Sequence, residues 1–95
     1  MTARLDKWLW CAHVVRARER AAALIESGAV RLNKQKVVKP GHAVKPGDVV
    51  TIALHARVLV YEVIDVADRR GPAKDATRLY RDLAQKTDAS ANEDG

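Results

Sequence analysis

Aromatic side chains are scarce in this 95-residue chain: phenylalanine is absent, and Trp8, Trp10, Tyr61 and Tyr80 make up 4% of the residues. Proteins that hold single-stranded nucleic acid usually stack bases on exposed aromatic rings, so that mode is disfavoured. Cysteine is nearly absent too. Cys11 alone excludes an internal disulfide, and with only the scattered His13, His42 and His55 it builds no zinc site, so no metal is expected. No apolar run approaches the roughly 20 residues of a membrane-spanning helix, and no membrane partner is expected. The start, Met-Thr-Ala-Arg followed by Asp6, Lys7 and Arg16, lacks the apolar core of a signal peptide, and a cytoplasmic location is expected. No nucleophile stands near a histidine, and there is no glycine-rich phosphate loop. Neither catalytic residues nor a cofactor are therefore expected, and the reading is of a protein that is not an enzyme.

What is present is positive charge in one half of the chain. The net charge is +5. Residues 1–47 hold ten basic and three acidic side chains, a balance of +7, and residues 48–95 balance to −2. A one-sided distribution in a small domain suggests an anionic partner. Arginine forks suit phosphate geometry and lysine adds point charge. With so few aromatics, the implied partner is the backbone and shape of a folded polyanion, foremost structured RNA.

The basic half has regular punctuation. Leu5, Trp8, Leu9, Ala12 and Val15 recur at three- and four-residue steps and predict a helix from about Arg4 to Val15. Trp8 reads as core. Trp10 lies nearly opposite, either under the C-terminal segment or as a partly exposed contact. A second helix is predicted from Ala17 or Arg18 to Ser27, with Ala21, Leu24 and Ile25 inward and Gly28 in the left-handed position that ends it. Ala17 is a poor cap. A phosphate at those open amides, beside Arg16, Arg18 and Arg20, would suit the helix dipole.

Val30 and Leu32 predict a short strand, and Asn33-Lys34 a turn. Glycine is preferred where Lys34 stands, so a looser loop is anticipated. Gln35 to Val38 returns. Val49–Leu54 and Val58–Val66 read as antiparallel strands, the second apolar on both faces, with register open and a bulge an option. Pro72 opens a third helix running to about Lys86, with Ala76, Leu79, Tyr80 and Leu83 as its inner stripe. The division expected is 1–66, an RNA-binding domain with its sheet; 67–86, a helix packed on it; and 87–95, a disordered acidic tail.

Arg4-Leu5-Asp6, Ala17-Arg18, Ala21, Leu24-Ile25, Gly28, Val30, Leu32, Asn33-Lys34 and Pro46-Gly47-Asp48 keep the spacing of a known pattern. It resembles the S-four type RNA-binding domain, named for ribosomal small-subunit protein four. Asp6-Lys7-Trp8-Leu9-Trp10, Arg69-Arg70-Gly71-Pro72-Ala73 and Leu79-Tyr80 narrow the resemblance to the heat shock protein 15 family. It implies an α+β fold of the S-four (alpha-L) type, with two N-terminal helices on a small, mostly antiparallel sheet and a C-terminal helix. It also implies a non-catalytic protein that binds ribosomal RNA on free large (50S) subunits carrying a stalled nascent chain with its tRNA, and that aids their rescue under stress. Carried over by position, Arg4, Lys7, Arg16 and Arg18 match the family's basic residues on the helices, and Asn33, Lys34 and Lys36 match its hairpin loop. Arg20 and Lys39 join them on charge and place. Ala17 departs from the usual Ser or Thr, Lys34 from Gly, and the acidic C-terminus from the basic extension of some relatives. A monomer is expected. The alternatives are a generic structured-RNA or DNA-binding regulator of helix-turn-helix type and a fragment of an RNA-modifying enzyme.

Overall fold

The computed structural model describes residues 1–83. The expected helix end at Lys86 and the acidic tail lie outside the described residues. The chain runs β1 (Ala3–Arg4), α1 (Leu5–Cys11), α2 (Arg18–Glu26), β2 (Val30–Leu32), β3 (Gln35–Lys36), β4 (Ala43–Val44), β5 (Val49–Ala53), β6 (Val58–Val63), α3 (Ala73–Ala76) and β7 (Tyr80–Asp82). Strand alternation makes the core face: Val30 and Leu32, Val50 and Ile52, and Leu59, Tyr61 and Val63 are all buried. The main sheet is antiparallel throughout, in the order β3-β2-β5-β6-β7, while β1 and β4 pair separately. Leu5, Trp8 and Leu9 of α1 and Ala21 and Ile25 of α2 complete one core with the strands. The α+β class with two N-terminal helices on an antiparallel sheet is the one the resemblance implied.

Both N-terminal helices end the same way with different residues. In α2 the Gly28 amide donates to the Ile25 carbonyl (3.0 Å) and the Ala29 amide to Leu24 (3.2 Å), with Gly28 at φ +85°. In α1 the His13 amide donates to Trp10 (3.1 Å) and the Val14 amide to Leu9 (3.0 Å), with His13 at φ +61°. These are paired Schellman closures. The first helix therefore stops at Cys11, four residues short of the Val15 expected from periodicity. His13 carries the left-handed turn because its ring is held on both sides: Nε2 donates to the Gly71 carbonyl (2.7 Å), and Nδ1 accepts from Arg70 Nη2 (3.1 Å).

Two other expectations change, and the register left open between the two long strands is fixed. Asn33 and Lys34 form a tight primed turn, at φ +51° and +74°, not a looser loop. Tertiary bonds stabilise it: the Asn33 amide donates to the Val49 carbonyl (2.8 Å), and Asn33 Oδ1 accepts from the Val49 amide (2.9 Å). Strands β5 and β6 pair without a bulge, from Val49 opposite Glu62 to Ala53 opposite Val58, which leaves Val58 half-exposed on the outer face. The third helix is present but is a single turn. Its last residue, Ala76, and Leu79 beyond it are buried as expected, yet Tyr80–Asp82 is a strand on the edge of β6. The open edge of β6 offers ladder hydrogen bonds that outweigh a helical preference.

Tyr80 lies flat against Tyr61, with ring centroids 4.0 Å apart and planes 11° apart. Burial first, then neighbouring Tyr80 and Asp82, push the Tyr61 hydroxyl up to about 12 from its ordinary 10.0. The folded state holds this proton more tightly than the unfolded chain does. Its contribution is therefore intact below pH 10 and is lost as pH rises through 12. Tyr61→Phe is expected to flatten the alkaline fall of melting temperature between those values, and an unaltered fall would assign it to other groups.

Candidate nucleic-acid interface

The start of α1 is built to carry charge. Its first amides are taken by the loop after β3: Leu5 donates to the His42 carbonyl (2.8 Å) and Asp6 to Pro40 (3.1 Å). The Lys7 amide donates to Asp6 Oδ1 (2.7 Å). Asp6 is 5% exposed. Burial opposes its ionisation, but the Arg4 hydrogen bond, the Lys7 amide and the charge of Arg18 outweigh it and hold the carboxyl below its ordinary range. Arg4 Nε and Nη2 each reach it at 3.1 Å, and Arg18 Nη2 stands 3.6 Å away. Arg4, Lys7 and Arg18 thus share one groove, whose lining also includes Asp65, Val66, Ala67 and Asp68.

The nine residues predicted from the sequence fall into separate places. Arg16 and Arg20 do not line the groove of Arg4, Lys7 and Arg18. They rim an apolar groove with Val14, Val15, Leu24 and Leu54. Asn33, Lys36 and Lys39 line a third, basic cleft together with His42 and Lys45. Lys34 stands exposed at the hairpin tip. Asn33 holds this cleft in shape, because its Nδ2 donates to Asp48 Oδ1 (3.0 Å) while Oδ1 is bound to Val49. Asp48 is the second buried carboxylate, 5% exposed, and also accepts from the Lys45 amide (3.0 Å) and ammonium (3.2 Å). Lys36 crosses Gly28 so closely that a Cβ there would stand 2.5 Å from its Cε. The two basic sites meet at Arg4, whose guanidinium rests against Gly41, the neighbour of His42.

At the start of α2, Ala17 provides no side-chain cap. The amides of Arg18 and Glu19 find no acceptor among the described residues, as a phosphate-binding helix start would require.

Sequence reasoning missed Arg70 and Lys45. Arg70 sits over the half-buried Trp10 ring, 5.8 Å from its centroid, and its Nε donates to the Trp10 carbonyl (3.0 Å). This places Trp10 under the C-terminal segment. The Cys11 thiol is pushed up by burial, with Asp68 adding to the rise, against the opposing pull of Lys7, Arg18 and Arg70. A protonated, buried thiol is a packing residue and not a nucleophile. The signal for Arg70 was the Arg69-Arg70-Gly71-Pro72 run, whose charge lies in the acidic half of the chain. Among the described residues no group of three or more His, Cys, Asp or Glu is arranged to hold a metal ion. No described helix is long and apolar enough to cross a membrane.

The S4 domain family matches residues 3–50, the stretch that holds all nine predicted cations and polar contacts. The class is therefore that of S4-domain proteins, an RNA-binding class. Similar curated proteins are the heat shock protein 15 homologues of Haemophilus influenzae (35% identical, 83% of this chain, 60% of the relative) and Aeromonas salmonicida (37%, 92% and 62%). Heat shock protein 15 of Escherichia coli K12 is 33% identical over 90% of this chain and 63% of its own length. The solved structure of Vibrio cholerae heat shock protein 15, a trimer, superposes with a TM-score of 0.85 at 32% identity, over 97% of this chain and 93% of that one. The chain belongs to the heat shock protein 15 family. It spans 60–63% of the length of these curated relatives.

Proposed function

We propose that this protein is a non-catalytic factor that binds ribosomal RNA of the large (50S) subunit. Its target is free subunits carrying a stalled nascent chain as peptidyl-tRNA, whose rescue or recycling it aids in the cytoplasm. The observation that carries the reading is the gathering of Arg4, Lys7 and Arg18 in one groove next to the basic hairpin cleft. Phosphate neutralisation by such a surface recognises a folded backbone without aromatic platforms. The helix-turn-helix reading fits poorly. After Gly28 the chain enters a hairpin, and α2 buries Ala21 and Ile25 in the core.

The test is sedimentation of the protein in lysate gradients, with and without a block that leaves peptidyl-tRNA on split subunits. Enrichment on the large subunit that grows with the block and is lost in high salt is the expected result. Sedimentation at the top, or with DNA, would overturn it. The expected monomer stands against the trimer of the V. cholerae relative. Light scattering on the free protein separates a 10.5 kDa particle from one about three times that mass.

A further inference from the structure

Asp6 is an acidic residue at the centre of a surface for a polyanion. Charge alone would make it a liability, since it subtracts from the field that attracts phosphate. Its geometry says otherwise. The carboxylate is buried and receives Arg4 side-on, through Nε and Nη2. A guanidinium has five N–H donors, and this grip uses two. Among the described residues the Nη1 edge, with the second Nη2 hydrogen, meets no hydrogen-bond partner, on a side chain that is 57% exposed. That edge is the fork that pairs with two phosphate oxygens. The Arg4 guanidinium also lies alongside Gly41, where a Cβ would stand 3.4 Å from its Cζ, an ordinary van der Waals contact. Arg18 offers one corner to the same carboxylate at 3.6 Å and remains 42% exposed.

We propose that Asp6 is a positioning residue for RNA binding: it grips the inner edge of Arg4 so that the outer edge faces the phosphate backbone as a preset fork, and its charge keeps Arg18 beside it. This rests on the RNA-binding reading above and deepens it. An unheld arginine loses side-chain freedom when it pairs with phosphate, and a held one has lost it already. The buried carboxylate thus converts its one unfavourable charge into the orientation of Arg4, with Arg18 drawn in beside it.

The test measures affinity for a structured ribosomal RNA fragment against salt concentration. The proteins are wild type, Asp6→Asn, Arg4→Lys, and Asp6→Asn placed in an Arg4→Ala/Arg18→Ala background. Asparagine is isosteric and keeps an oxygen for the Lys7 amide, and near-ultraviolet circular dichroism of the tryptophans reports the fold. Asp6→Asn is expected to weaken binding about tenfold, the size of one charge-assisted contact, although it removes a negative charge. The salt slope should become shallower by about 1. In the double-alanine background the same change is expected to leave affinity unchanged or slightly tighter.

Arg4→Lys keeps the charge but cannot be held at two points, and it too is expected to lose several-fold. Binding by Asp6→Asn equal to or tighter than wild type would overturn the proposal. So would equal weakening in the double-alanine background, or wild-type affinity in Arg4→Lys. If Asp6→Asn fails to fold, the exposed Arg4→Lys decides alone. A wild-type protein with no salt-dependent RNA affinity would instead sink the RNA reading itself.

Discussion

Replacing Arg18 by glutamate is expected to weaken binding of structured RNA by about two orders of magnitude at moderate salt. One charge-assisted contact is lost and a like charge takes its place against phosphate. Arg18 is the first residue of α2 and is only partly buried, so the fold should survive. A carboxylate at a helix start suits the dipole, which offsets part of the lost pairing with Asp6. Wild type, neutralising about five phosphates, should show log affinity falling with log salt at a slope of roughly −3.5 to −4.5. The variant should be shallower by about 1 to 2. Fluorescence anisotropy across a salt series, with a melting curve beside it, checks both parts. Unchanged affinity would remove Arg18 from the interface, and a slope near zero in wild type would remove the electrostatic mechanism.

Replacing Trp8 by alanine is expected to have the largest effect on stability. The indole is 1% exposed, the largest fully buried side chain described. Its Nε1 donates to the Asp65 carbonyl at 3.0 Å, which ties the segment after β6 to α1. Deleting a buried tryptophan costs about 3–5 kcal/mol. A domain of this size has about 5–15 kcal/mol in total. The melting temperature should fall by roughly 15–30 °C. Trp10→Ala should cost much less, because that ring is half-buried and covered by Arg70. A drop of only a few degrees for Trp8→Ala would mean that the core closes over the space. The two variants also separate function from stability. Neither indole lines the groove of Arg4, Lys7 and Arg18, so RNA affinity measured well below the melting temperature should change little.

Much of this architecture was legible before any coordinates. Helix periodicity placed Leu5, Leu9, Ala21 and Ile25 inside, and glycine chemistry placed the end of α2 at Gly28. Both are local properties, set within a few residues by side-chain spacing and backbone freedom. The end of α1 was not legible. His13 is an uncommon residue for a left-handed position, and its partners Arg70 and Gly71 lie almost sixty residues away. The tight turn at Asn33-Lys34 was hidden for the same reason, since Val49 and Asp48 hold it. Tyr80–Asp82 fitted a helical stripe equally well, and only the free edge of β6 made it a strand.

The candidate site divides along the same line. By itself the sequence determined its composition: a basic first half, few aromatics, and the spaced Arg-Leu-Asp, Gly and Pro-Gly-Asp marks of the S4 domain. Tertiary structure decided the grouping. It set Arg16 and Arg20 apart from Arg4, Lys7 and Arg18, and brought Arg70 against α1 from the acidic half. It also turned Asp6 and Asp48 into buried anchors beneath the cations. Charge and periodicity are carried residue by residue along the chain. Which charges share a groove depends on where the chain crosses itself, and that is set by burial and hydrogen bonds between residues distant in sequence.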